Sequence, residues 1–106
     1  MKITVAGYGY VGKAIHNALQ DSVDIEIVDP AFPQHDFPIN TDTDAVIVCV
    51  STPKNGDGSC NISNVHQVID DSPLGVPILI KSTLSLEGWE HIKTAFPYRE
   101  ISFSPE

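Results

Sequence analysis

The sequence is short of basic residues, of cysteine and of long apolar runs, and each shortage narrows what the chain can do. Six Lys and Arg stand against fourteen Asp and Glu, a formal net charge of −8. Neutralising a phosphate backbone takes clustered Lys and Arg, so no nucleic-acid partner is expected. The two cysteines, Cys49 in an apolar run and Cys60 in a polar loop, form neither a disulfide framework nor a zinc pattern. The histidines (His16, His35, His66, His91) are scattered, with no pair at metal-ligand spacing, so no metal is expected. No apolar run reaches the roughly 18 residues of a membrane span, so no membrane partner is expected. The opening MKITVAGYGYVG does not read as a signal peptide, because glycines break the stretch where an apolar core should continue. Together these point to a cytoplasmic setting. Internal repeats and low-complexity tracts are also lacking.

What is present is an alternation of short apolar runs with helical patterns. The 106 residues suit one domain with a modest core, and 42% are hydrophobic. Strands are predicted over Ile3–Ala6, Val23–Val28, Asp44–Val50, Val76–Ile80 and Glu100–Phe103. The third is almost continuously apolar, as expected of a strand buried on both faces. Helices are predicted from Tyr10 to near Asp21, over Asn61–Asp70 with Asn61 or Ser63 as N-cap, and over Leu86–Phe96. Strand–helix–strand alternation implies a parallel sheet with helices on both faces. One region breaks the rhythm. Pro30–Asp42 has three prolines and no helical period, where a full doubly wound fold carries a helix and a further strand. It is read as a loop, with a short edge strand near Phe37–Ile39 as an option. The fold class is therefore α/β, a Rossmann-like doubly wound parallel sheet shortened after the second strand.

Gly7-Tyr-Gly-Tyr-Val-Gly12 matches G-x-G-x-x-G, and its context is that of a dinucleotide site: a strand before it, a helix after it, then a second strand closed by an acid. Gly7 permits the tight turn, Gly9 lets the backbone approach a pyrophosphate, and Gly12 lets the helix pack on the strand. The backbone N–H groups of Tyr10 and Val11 then face the phosphates. Asp29, at roughly the 20-residue distance such sites show, suits the adenosine ribose hydroxyls and repels a 2′-phosphate, favouring NAD over NADP.

Later segments carry a resemblance. Val48-Cys-Val-Ser-Thr-Pro53, Asp57-Gly58 and Asn61-Ile-Ser-Asn-Val65 resemble the V-P-T-P … D-G … D-L-S-x-V stretch of the UDP-glucose/GDP-mannose dehydrogenase family. Ile80-Lys-Ser-Thr-Leu84 resembles its E-S-T-V, Phe103-Ser-Pro-Glu106 its S-P-E-F, and the glycine loop its G-L-G-Y-V-G. The motifs occur in the family's order and span the chain, but they cover only its N-terminal NAD-binding domain. The resemblance implies NAD as cofactor, with Val50, Ser51, Thr52 and Pro53 bordering it beyond a central strand. It implies that Thr83 lies near the nicotinamide and positions a catalytic water, and that Glu106 takes part in acid/base chemistry. Read by themselves, Thr52 is equally a strand-end cap, Thr83 an N-cap of the following helix, and Glu106 a terminal residue with no role.

The family oxidises a sugar C6 alcohol twice, through a cysteine thiolate in a later domain that this sequence does not contain. Neither Cys49, read as buried in a strand and inert, nor Cys60 is proposed as that nucleophile. Gln34 or His35 occupies the neighbourhood of a lysine that follows the family's acid, and Lys81 stands where an acid or amide precedes Ser82. The chain reads as a compact member, or as one cut after the cofactor domain, which the stop inside S-P-E-F favours. The expected function is thus NAD binding within a nucleotide-sugar oxidoreductase, without turnover alone. The nucleotide-sugar substrate would bind only with the missing domain, and a homodimer is an option. The alternative is a stand-alone NAD(H)-sensing module, which does not predict the Ser51-Thr-Pro53 and Ser82-Thr83 motifs.

Overall fold

The computed structural model describes residues 1–29, 39, 41–58 and 61–104. Eight elements follow in order: β1 (Lys2–Ala6), α1 (Tyr10–Leu19), β2 (Asp24–Val28), β3 (Ala45–Val48), α2 (Ser63–Asp71), β4 (Ile78–Ile80), α3 (Leu86–Ala95) and β5 (Ile101–Phe103). The strands pair in parallel as β2-β1-β3-β4-β5. The domain is an α/β fold with a Rossmann-like sheet, as the alternation predicts.

The direction of each crossover fixes the layers. The step from β1 to β2 runs one way along the sheet, and the steps β3 to β4 to β5 run the other. With right-handed connections this puts α1 on one face and α2 and α3 on the opposite face. The side chains agree. Ala6, Val28, Val46, Val48, Ile78 and Ile80 share one core with Val65, Val68 and Ile69 of α2 and Ile92 of α3. Trp89 of α3 stacks on Phe103 of β5 at 5.2 Å between ring centroids. On the other face, Val5 underlies Gly12 of α1.

Among the described residues no element lies between β2 and β3. Ile39 is only 4% exposed and joins the core. Nearby, the buried Thr4 hydroxyl donates to Thr43 Oγ1 at 2.8 Å, and the Thr43 hydroxyl donates to the Ala45 carbonyl at 3.0 Å. Two hydroxyls buried under β1 are thereby satisfied, which removes the desolvation cost of an unpaired one. The optional edge strand is not found at Ile39, while Phe37 and Pro38 lie outside the described residues.

Two expectations are corrected. The third strand stops at Val48, where its last register partners, Ala6 and Ile80, stop as well. Cys49 therefore lies past the strand and is half-buried, not sealed inside it. Nor is β3 buried on both faces: Val46 and Val48 are buried, but Ala45 and Ile47 are half-buried, because among the described residues α1 is the only helix on their side. Among the described residues no helix is long and apolar enough to cross a membrane.

Candidate functional site

In the order 2-1-3-4-5 the chain reverses direction between β1 and β3, and ligands of open α/β sheets bind beyond the carboxyl ends of the strands at such a point. The glycine loop stands there. Gly7 has φ +101°, and a Cβ on it would lie 2.6 Å from the Cys49 carbonyl carbon and 2.7 Å from the Val50 nitrogen. Its N–H donates to the Val28 carbonyl at 2.8 Å. A Cβ on Gly12 would lie 2.0 Å from the Gly7 carbonyl oxygen. Both glycines are thus demanded by the chain's own packing. Gly9 is different. Its φ of −84° and ψ of −153° are open to any residue, and a Cβ there would meet nothing within 4 Å. Nothing in the described fold requires the second glycine, so its absent side chain leaves room in front of the loop.

Gly9 is also the N-cap of α1 and brings no side chain over the helix terminus. The first-turn N–H groups, which have no intrahelical acceptor, face the same space with the positive end of the helix dipole. Helix α3 contrasts with this, since Ser85 Oγ accepts the Gly88 N–H at 3.0 Å. That assigns the cap of α3 to Ser85 and not to Thr83.

Asp29 follows β2 directly. Its Oδ2 accepts the Tyr8 N–H at 2.6 Å, so the carboxylate is bound to the middle of the glycine loop. On the outer side the Tyr8 hydroxyl and His16 Nδ1 are 3.1 Å apart, with the Lys13 ammonium 5.6 Å from the tyrosine ring centroid.

The loop after β3 forms the facing wall, and three contacts fix it. Ser82 Oγ donates to the Val50 carbonyl at 2.7 Å, Asn64 Nδ2 donates to the Ser51 carbonyl at 3.1 Å, and Asn61 N–H donates to the Pro53 carbonyl at 2.7 Å. Neither Asn61 nor Ser63 is the N-cap of α2; Ile62 is, and Asn61 Oδ1 accepts the Ser63 N–H one step earlier.

Between these walls runs a cleft of about 570 Å³. It brings together Gly7, Gly9, Tyr10, Val11, Asp29, Val50 and Ser51 of the residues singled out in the sequence. Gly12 sits behind it, beneath Gly7. Thr52 and Thr83 do not line it. They adjoin each other at the ends of β3 and β4, where the Thr52 hydroxyl donates to the Thr83 carbonyl at 2.8 Å. Glu106 lies outside the described residues. Cys49, Asn64, Gln67 and Val68 complete the lining and were not foreseen. The pattern of α2 marks Val68 as a core position but does not say that Asn64, one turn earlier, and Gln67, the residue before Val68, reach the cleft. Among the described residues no group of His, Cys, Asp and Glu is placed to hold a metal ion. No protein-family profile matches the chain, and no curated protein shows significant similarity to it.

Proposed function

We propose that the cleft binds a dinucleotide, NAD in preference to NADP, and that the chain is the cofactor half of a nucleotide-sugar oxidoreductase. The observation that carries the first part is Gly9: a glycine that the fold does not need, in front of an uncapped helix terminus. A pyrophosphate needs that space and those N–H groups. The pyrophosphate then lies over Gly9, Tyr10 and Val11, and a ribose lies against Asp29. The remaining polar groups fit this placement, because an uncapped helix terminus suits the anion and a carboxylate suits a vicinal diol.

The second part rests on the ordered motifs. Ser51-Thr-Pro53 and Ser82-Thr83 come together beside the cleft through the Thr52–Thr83 hydrogen bond. A nucleotide-sensing module does not predict those motifs. When bound, NAD supplies the hydride acceptor; this chain's own residues bind it, orient it and fix the loop after β3 near it. By the resemblance, the nucleophile and the sugar-binding residues would belong to the family's later domain.

Calorimetric titration with NADH tests the reading. The chain is expected to bind NADH measurably and NADPH more weakly, and to produce no NADH absorbance when given NAD and UDP-glucose. Absence of NADH binding overturns the dinucleotide reading; steady NADH production overturns the claim that the chemistry lies elsewhere.

A further inference from the structure

We infer that Asn64 reads the base of the dinucleotide, with its side-chain oxygen accepting the exocyclic amine of adenine. The inference rests on the dinucleotide reading of the cleft. If a pyrophosphate occupies the α1 terminus and a ribose meets Asp29, the base on that ribose falls against the remaining wall of the cleft, which α2 supplies. Val68 of α2, with Val50 of the adjoining loop after β3, gives an apolar surface against which a purine ring can lie. Asn64 and Gln67 give it the polar edge.

Chemistry fixes the orientation of the Asn64 amide. Its nitrogen faces the Ser51 carbonyl oxygen at 3.1 Å and the Ser51 hydroxyl at 3.4 Å. A carbonyl only accepts, so the group turned to it must be the NH₂. The Asn64 oxygen is then the group left for a ligand, and it only accepts. Adenine offers a donor at its exocyclic position. Hypoxanthine and guanine offer an oxygen there, which would place two acceptors against each other. Gln67, one turn on and exposed, has no such tether among the described residues and can rotate to suit either base, so it does not discriminate.

The test compares NADH with reduced nicotinamide hypoxanthine dinucleotide, in which an oxygen replaces the exocyclic amine and the adjoining N1 carries a proton. By titration against the intact chain, NADH is expected to bind about tenfold more tightly, the effect of one neutral hydrogen bond. Asn64→Ala is expected to bring the ratio near one, with far-UV circular dichroism showing that the sheet is retained. Gln67→Ala is expected to keep the ratio. Equal binding of both dinucleotides by the unaltered chain overturns the inference while leaving the dinucleotide reading intact. A ratio that survives Asn64→Ala also overturns it. If neither dinucleotide binds, both readings fall together.

Discussion

The Asp29 carboxylate accepts the backbone N–H of Tyr8 at 2.6 Å, tying the end of β2 to the middle of the glycine loop. One side chain therefore has two duties, one to the loop and one proposed toward ribose. Substitutions separate them. Asn at this position retains an oxygen for the Tyr8 N–H but loses the charge; Ala loses both. Asp29→Ala is expected to weaken NADH binding by about 10- to 100-fold, the range of charge-assisted hydrogen bonds. Asp29→Asn is expected to weaken it less and to narrow the preference for NADH over NADPH, since the repulsion of a 2′-phosphate goes with the charge. Titration of both variants with both dinucleotides measures this.

The three loop glycines are expected to respond differently to a single methyl group. Gly12→Ala drives a Cβ into the Gly7 carbonyl at 2.0 Å, backbone against backbone, where nothing flexible can yield. The cost is expected at the upper end of overpacking, about 3 kcal/mol or more, a large part of the roughly 5–15 kcal/mol that holds a domain folded. Gly7→Ala adds a positive φ to a comparable clash. Gly9→Ala meets nothing and should cost only about 0.5–1 kcal/mol as an N-cap change, while NADH affinity falls. Urea unfolding and NADH titration of the three variants distinguish packing from ligand contact.

The α3 cap, one of the two duties that sequence alone leaves open to Thr83, falls to Ser85. Ser85→Ala removes the α3 cap and is expected to cost about 1 kcal/mol with NADH binding unchanged. Thr83→Ala trims an exposed side chain whose hydrogen-bonded part is its carbonyl, and should shift stability by less than about 0.5 kcal/mol. Thermal unfolding of the two variants gives the comparison.

Lys2 gives the pH dependence. Its ammonium lies 3.1 Å from Asp42 Oδ1 and 3.1 Å from Glu26 Oε2, and the hydrogen bonds to Asp42 and then Glu26 hold its pKa above the ordinary 10.5. A raised lysine pKa means that the folded state holds the proton more tightly than the unfolded one. The contribution is complete below the ordinary lysine pKa and fades as pH rises through the raised value. Lys2→Met should therefore lower stability at neutral pH and erase part of the fall above pH 10.5 seen in the unaltered chain. Urea titrations at neutral and strongly alkaline pH measure the difference.

The parts of the site that could be read in the sequence are those dictated by local backbone chemistry. Gly7 and Gly12 are glycines because the turn and the helix packing leave no volume for a side chain, and that need shows as a spacing. Asp29 closes a strand whose apolar residues announce it. What escaped reading depends on tertiary placement. Ser82-Thr-Leu-Ser85 holds three hydroxyls before one helix, and only the turn geometry decides which reaches Gly88. Cys49 reads as part of β3 because its neighbours are apolar, yet the ladder ends at Val48 where β1 and β4 also end. Asn64 and Gln67 look like the solvated side of an amphipathic helix, and it is the burial of Val65, Val68 and Ile69 against the sheet that sets that helix beside the cleft, where Asn64 meets the Ser51 carbonyl.

The glycine loop is fastened on two sides, by the Gly7 N–H to Val28 and by Asp29 to Tyr8, and Gly7 rests against the backbone at Cys49. A ligand reaching it meets amides already in position and need not order that loop. Ligand capture should then resemble a fixed lock more than a closing hand: association without a slow isomerisation phase, and a heat-capacity change set by the ligand's own buried apolar surface.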